Sequence, residues 1–245
     1  MTLPRQDAWR LKIHEVLPST SDLCRTLAAA GEPEGLAVLA RRQTQGRGSR
    51  GRNWESPVGN FFFSVLLRPR ERARDAGQWS LLAGVALADA LGPLLPDPSR
   101  LRLKWPNDIL LDGRKLAGVL VDSAAGADGG VEWLVVGLGV NLAVAPSVPG
   151  RAVVALAEVA PPPVPEAFAG AVLDSLAHWG RVRSADGFAP IRAAWLARAP
   201  SLGSHVTLRV GEQRIAGGFA GLADDGSLLL DNGNRVHAFS TGEVL

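Results

Sequence analysis

The chain has 245 residues, 26 basic and 24 acidic, for a formal net charge of +2, and it contains one cysteine. That length can bury a substantial core, whereas so small an excess of positive charge does not predict nucleic-acid binding. A single cysteine excludes an internal disulfide framework and fits a reducing compartment.

Met1 to Arg10 carries Arg5, Asp7 and Arg10, so it lacks the uninterrupted apolar stretch of a secretory signal. The apolar neighbourhoods Trp79 to Ala90 and Val131 to Ala145 are broken by Asp89, Glu132 and Asn141. Neither reaches the roughly 18 apolar residues of a membrane span. The expectation is a soluble, cytoplasmic protein that does not engage a membrane.

Ser19 or Thr20 followed by Asp22, with Leu23, Thr26 and Leu27 at helical spacing, predicts a short helix over Ser19 to Ala30. Leu36 to Ala40 reads as a buried strand. It leads into residues 41 to 52, which hold five arginines and no acid and, with Gly46, Gly48 and Gly51, predict a loop that is mobile when empty. Phe61 to Leu67 predicts a strand and Gln78 to Leu91 a helix. Leu101, Leu103 and Trp105 alternate with Arg102 and Lys104 before Pro106 ends that strand. Asp108 to Leu111 and Leu116 to Asp122 flank Asp112-Gly113, a pair suited to a two-residue hairpin turn.

Glu132 to Leu142 predicts a further strand, with Gly137 and Gly139 at positions where side chains would obstruct something close to the backbone. Pro146 to Pro165 reads as connection, with a short helix over Arg151 to Val159. Helices follow over Phe168 to Arg181 and Gly187 to Ala199. From Ser204 the pattern changes to short strands at His205 to Val210, Arg214 to Ala223, Ser227 to Leu230 and Arg235 to Phe239, separated by turn pairs such as Asp225-Gly226 and Asn232-Gly233. The predicted fold is α+β. Residues 1 to 200 form a mixed sheet with flanking helices, and residues 201 to 245 form a small β-barrel.

Two clusters carry chemistry. In Gly46-Arg47-Gly48-Ser49-Arg50-Gly51-Arg52, glycines let backbone amides approach a ligand while guanidinium groups offer directional donors to carboxylate or phosphate. The segment lacks the lysine and hydroxyl residue of a Walker loop and the strand-to-helix setting of a dinucleotide fingerprint. In the hairpin, Asp108 and Lys115 stand on opposite arms, and such a lysine can neutralise an adenylate-forming transition state. His14, His178, His205 and His237 show no metal-ligand spacing, so neither zinc nor haem is expected. Cys24 reads as structural, and Trp79, Trp133, Trp179 and Trp195 as core or contact residues.

The ordered blocks Gln43-Thr44-Gln45-Gly46-Arg47-Gly48-Ser49-Arg50-Gly51-Arg52-Asn53-Trp54, Lys104-Trp105-Pro106-Asn107-Asp108, Gly113-Arg114-Lys115-Leu116-Ala117-Gly118-Val119-Leu120 and Gly137-Leu138-Gly139-Val140-Asn141 together resemble the signature of biotin protein ligases. The resemblance implies a catalytic domain related to class II aminoacyl-tRNA synthetases and lipoate ligases, followed by an SH3-like domain. It implies two steps: biotin and ATP with Mg2+ form biotinyl-5'-adenylate, and a carrier lysine then displaces AMP. The implied partner is the biotin carboxyl carrier domain of acetyl-CoA carboxylase or a related carboxylase.

The same resemblance implies roles for individual residues. Lys115, Asp108 and Arg47 are catalytic. Ser19, Thr20, Ser21, Gln43, Gly46, Arg47, Gly48, Ser49, Lys115 and Gly118 bind biotin, while Arg50, Arg52, Trp54, Asn107, Lys115 and Asn141 meet ATP or the adenylate. Ser21 stands where the family often has asparagine, and Ser49 where it often has arginine. The metal ligands and the oligomeric state, a homodimer included, stay open. A lipoate or octanoate attachment enzyme is the nearest alternative, and the Lys104 to Asp108 block and the arginine-glycine segment favour biotin over it. A DNA-binding regulator is not expected, because only 18 residues precede Ser19. A noncatalytic biotin-binding module would have no use for both Asp108 and Lys115.

Overall fold

A computed structural model describes residues 9 to 245; of the N-terminal expectation, Met1 to Ala8 lie outside the described residues. Seven strands form a mixed sheet: β1 (Arg10–Leu17), β2 (Leu36–Gln43), β3 (Phe61–Leu67), β4 (Leu101–Lys104), β5 (Asp108–Leu111), β6 (Arg114–Ala125) and β7 (Val131–Val140). Their order is β1-β2-β3-β7-β6-β5-β4. Among these seven strands only β1 and β2 pair with each other in parallel. The helices are α1 (Thr20–Ala29), α2 (Gln78–Leu91), α3 (Pro165–Asp186) and α4 (Ala189–Leu196).

Alternation along the strands divides the sheet into two faces. Ala37, Leu39, Phe61, Phe63, Val65, Leu67, Val136, Leu138 and Val140 join the large core beneath α2 and α3. On the other face Leu36, Val38, Leu66 and Val135 pack with Cys24 and Ala28 of α1. α2 is buried on nearly all sides, because it lies between the sheet, α3 and α4. α1 covers only part of its face, and the uncovered remainder is the floor of a cleft.

Sequence periodicity locates β3 and α2 at their observed bounds. It misses β1, an edge strand whose side chains are largely exposed and carry no burial pattern. Over Arg151 to Val159 the expected helix shrinks to a single 3-10 turn, Leu156–Glu158.

The C-terminal strands are β8 (His205–Val210), β9 (Gln213–Leu222), β10 (Leu228–Asp231), β11 (Val236–Phe239) and β12 (Glu243–Val244). The expected SH3-like barrel is not found. These strands make an open antiparallel sheet, β11-β10-β9-β8-β12, with β11 and β12 at opposite edges. Closure requires the edge strands to pair across the gap, but β12 is two residues long and its ladder is with β8 alone. The sheet packs onto the main core through Val206, Leu208, Phe219, Leu222, Leu228 and Leu230, and the Trp105 indole donates to the Gly226 carbonyl at 3.1 Å.

Candidate active site

Strand register assembles the cleft floor. Lys104 pairs with Asp108, Asp108 with Gly118, and Gly118 with Gly139, so these four positions cross the sheet in one row on one face. A second row joins Ser64, Gly137 and Leu120.

Lys115 reaches this face through an irregularity. The β5–β6 pairing shifts between Ile109, opposite Ala117, and Leu110, opposite Lys115, which leaves Leu116 as an extra residue on β6. Regular alternation would have put Lys115 on the same face as Ala117 and Val119, in the core. One inserted residue reverses the face, so Leu116 and Ala117 are both buried and Lys115 stands beside Asp108. Its ammonium lies 2.5 Å from the Asp108 carboxylate and 5.4 Å from the Trp54 ring centroid. The tight turn between the arms is as the sequence suggests, with Asp112 and Gly113 at φ 52° and 75°.

At one end of the cleft stand neutral hydrogen-bonding groups. Ser19 caps α1 by accepting from the Asp22 amide. The Thr20 and Ser21 hydroxyls lie 2.8 and 3.0 Å from the Ser64 hydroxyl. The Gln43 carbonyl accepts from the Thr20 amide at 2.9 Å, and its amide donates to Ser56. Ser64 was missed by sequence reasoning, although a serine within Phe-Phe-Phe-Ser-Val-Leu-Leu is a signal that a polar group is wanted there.

Glycines floor the cleft for a steric reason. A Cβ on Gly137 would lie 2.5 Å from the Ser21 hydroxyl, and one on Gly139 would lie 2.6 Å from the Trp54 ring. What approaches the backbone at these two positions is therefore the protein's own Ser21 and Trp54.

The arginine-glycine segment folds as a short hairpin, with Arg47 bridged to Asn53 and Gly48 bonded to Arg52. Arg47 pairs with Asp122 at 2.7 Å and Asp22 at 3.1 Å. Burial pushes its guanidinium down, and the two carboxylates overcome this and raise it above its ordinary value. Arg50 and Arg52 pair with Glu243 at 2.8 and 2.7 Å; Arg151 joins at 2.7 Å, and Arg209 completes the group. Burial pushes the Glu243 carboxyl up, but hydrogen bonds and charge from Arg52, Arg209 and Arg151 prevail and hold it at about 2. Burial depresses the Lys104 ammonium despite the nearby Asp108 carboxylate.

The residues singled out from sequence fall as follows. Ser19, Thr20, Ser21, Gln43, Arg47, Gly48, Ser49, Arg52, Trp54, Asn107, Lys115, Gly118 and Asn141 line one cleft, and Asp108 is ion-paired to Lys115 at its floor. Gly46 lies behind it, where a Cβ would strike the Trp54 carbonyl at 2.3 Å. Arg50 is drawn to Glu243 instead. Asn107 is committed to the Val119 carbonyl at 2.7 Å. The Trp54 indole nitrogen and the Asn141 carbonyl oxygen are buried without a partner. Among the described residues no three His, Cys, Asp or Glu side chains gather as a metal-binding group, and no helix is long and apolar enough to cross a membrane.

The model of the biotin/lipoate A/B protein ligase family matches residues 13–141, which span the mixed sheet and the cleft with its Lys115–Asp108 pair. The model of the biotin protein ligase C terminal domain matches residues 201–245. A biotin–acetyl-CoA-carboxylase ligase of Paracoccus denitrificans is 44% identical over 204 residues, which cover 79% of this chain and 82% of the relative. A Mycobacterium tuberculosis ligase of the same name is 32% identical, over 93% of this chain and 85% of its own. The structure of an Aquifex aeolicus biotin protein ligase in complex with biotin and ATP superposes with a TM-score of 0.81 at 27% identity, over 96% of this chain and 97% of that one. The chain belongs to this family as a biotin protein ligase.

Proposed function

We propose that the protein, working in the cytoplasm, activates biotin with MgATP and transfers the biotinyl group to a lysine of a carrier domain of acetyl-CoA carboxylase or a related carboxylase. The observation that carries this reading is the placement of Lys115: the β6 irregularity puts its ammonium on the floor of a cleft that is lined by the Ser19, Thr20 and Ser21 hydroxyls and by the Arg47, Arg52 and Arg151 guanidinium groups. A ureido ring is neutral and rich in donors and acceptors, which suits Ser19, Thr20, Ser21 and Gln43. A triphosphate suits Arg50 and Arg52. Trp54 offers a ring face to a planar base, and the unpartnered Asn141 oxygen can accept from its amino group.

In the first step a biotin carboxylate oxygen attacks the α-phosphorus, the bond to the bridging oxygen breaks, and pyrophosphate leaves. Lys115 lies between the two anions and offsets charge that grows as they meet. Arg47 takes the carboxylate end by exchanging Asp22, the longer of its two ion pairs. Gly118 lets Trp54 and Lys115 lie close against β6, Gly48 and Ser49 of the hairpin cover the acyl chain, and Asn107 fixes β6 beneath it. In the second step the carrier amine attacks the acyl carbon, AMP leaves with the bonding pair, and Asp108 receives the amine's proton. Residues 1 to 200 carry the chemistry, and 201 to 245 serve the nucleotide side. The partner in this reading is the carrier protein; a net charge of +2 supplies little of the phosphate attraction on which DNA binding draws.

Transfer is tested by incubating the protein with biotin, MgATP and a carrier domain, and weighing the carrier. The expected result is one biotinyl amide on the acceptor lysine and none on a carrier whose acceptor lysine is replaced by arginine. An adenylate that forms while the carrier stays unmodified would overturn the transfer step.

A further inference from the structure

Glu243 is the one acid that meets the arginine hairpin from the C-terminal sheet. It pairs with Arg50 and Arg52 of the hairpin, Arg151 of the segment following β7, and Arg209 of β8. Its side chain is only 12% exposed, whereas those of the four arginines are 32% to 42% exposed. Among the described residues none of these arginines has another acidic partner. Four guanidinium groups against one carboxylate leave an excess of positive charge, which keeps the cluster attractive to a further anion after Glu243 is satisfied.

The backbone is built to deliver this carboxylate. Gly242, at φ 148°, lets the chain close onto Leu208, where a Cβ would lie 2.6 Å from that side chain, and β12 then pairs Glu243 opposite Arg209. The nucleotide reading above gives this arrangement a use. We propose that Glu243 is a positioning residue, through which residues 201–245 hold the arginine hairpin over the cleft so that its arginines are preset for the phosphates; the inference rests on that reading.

Glu243→Gln keeps the size and an acceptor oxygen but removes the charge. Tryptic cleavage within residues 47 to 52 should accelerate about tenfold as the hairpin opens more often, with the thermal midpoint close to that of the parent. In biotin-dependent pyrophosphate exchange, KM for ATP should rise about five- to tenfold while kcat and biotin affinity stay within about twofold; Glu243→Asp should recover part of the loss. A residue of merely structural importance would lower the midpoint and affect both substrates. Unchanged cleavage with unchanged KM for ATP would overturn the proposal, as would an equal loss of biotin affinity.

Should Glu243→Gln fail to fold, the parent chain still decides. Hairpin cleavage, normalised to a short peptide substrate, should rise severalfold as salt screens the exposed arginines, and a flat response would overturn the assignment. Cleavage needs no substrate, so its failure counts against Glu243 alone. Absence of exchange in the parent would count against the activity reading.

Discussion

Lys115→Ala is expected to slow adenylate formation by about two to three orders of magnitude, equivalent to about 3 to 4 kcal/mol of transition-state stabilisation. Carboxylate and α-phosphate repel each other, and attack spreads further negative charge over the oxygens around phosphorus. A fixed ammonium is worth most where that charge appears. Lys115 is fixed: its side chain is 16% exposed, its carboxylate partner lies at 2.5 Å, and its backbone amide donates to the Ala152 carbonyl at 2.8 Å. Arg114 does not replace it, because Arg114 is committed to Glu158 at 2.7 Å.

Truncation also leaves Asp108 half-buried without its cation, which destabilises the charged carboxylate. The variant must therefore be shown to be folded by circular dichroism, and Lys115→Met serves as a second, bulkier replacement. Single-turnover adenylation should collapse while transfer from supplied biotinyl-5'-adenylate falls far less, since the bond to phosphorus already exists there. Near-normal adenylation in a folded variant removes Lys115 from the chemistry. Equal loss in both half-reactions assigns it to adenylate binding.

Gly137→Val should weaken biotin binding by about 30- to 100-fold while leaving ATP binding within about threefold, corresponding to an overpacking cost of about 2 to 3 kcal/mol. The first added carbon already meets the Ser21 hydroxyl at 2.5 Å, and the Ser64 hydroxyl is 3.6 Å away. The two branches of valine must then displace the Thr20-Ser21-Ser64 hydroxyls or occupy the space above them. Calorimetric titration of each ligand separately, on protein with a native thermal transition, reads the effect. Biotin affinity within about threefold of the parent would place the ureido end elsewhere in the cleft.

These expectations draw unequally on sequence and structure. The Asp112-Gly113 turn, the Ser19 cap and the tightness around Gly137 and Gly139 are legible because each is a local statement about backbone shape or reach. What occupies that tight space is not legible, since Ser21 and Trp54 arrive from elements far away in the chain. The side of the sheet on which Lys115 stands depends on one extra residue in β6, which turns on pairing with β5 rather than on any residue type. Glu243 gave no signal: a lone acid near the C-terminus acquires its role only when arginines from three distant segments converge on it. The barrel failed for a related reason. Strand content can be read locally, but closure is decided by whether the two edges meet, and here the short β12 turns its acid towards the arginine hairpin.

Biotin-dependent exchange of labelled pyrophosphate into ATP reads adenylation at the Lys115 floor with no carrier present. The parent protein should catalyse exchange with biotin and not with lipoate or octanoate, and Lys115→Ala should abolish most of it without unfolding. Exchange that lipoate or octanoate supports better than biotin would assign the cleft to another acid, and exchange undiminished without Lys115 would remove that ammonium from the chemistry.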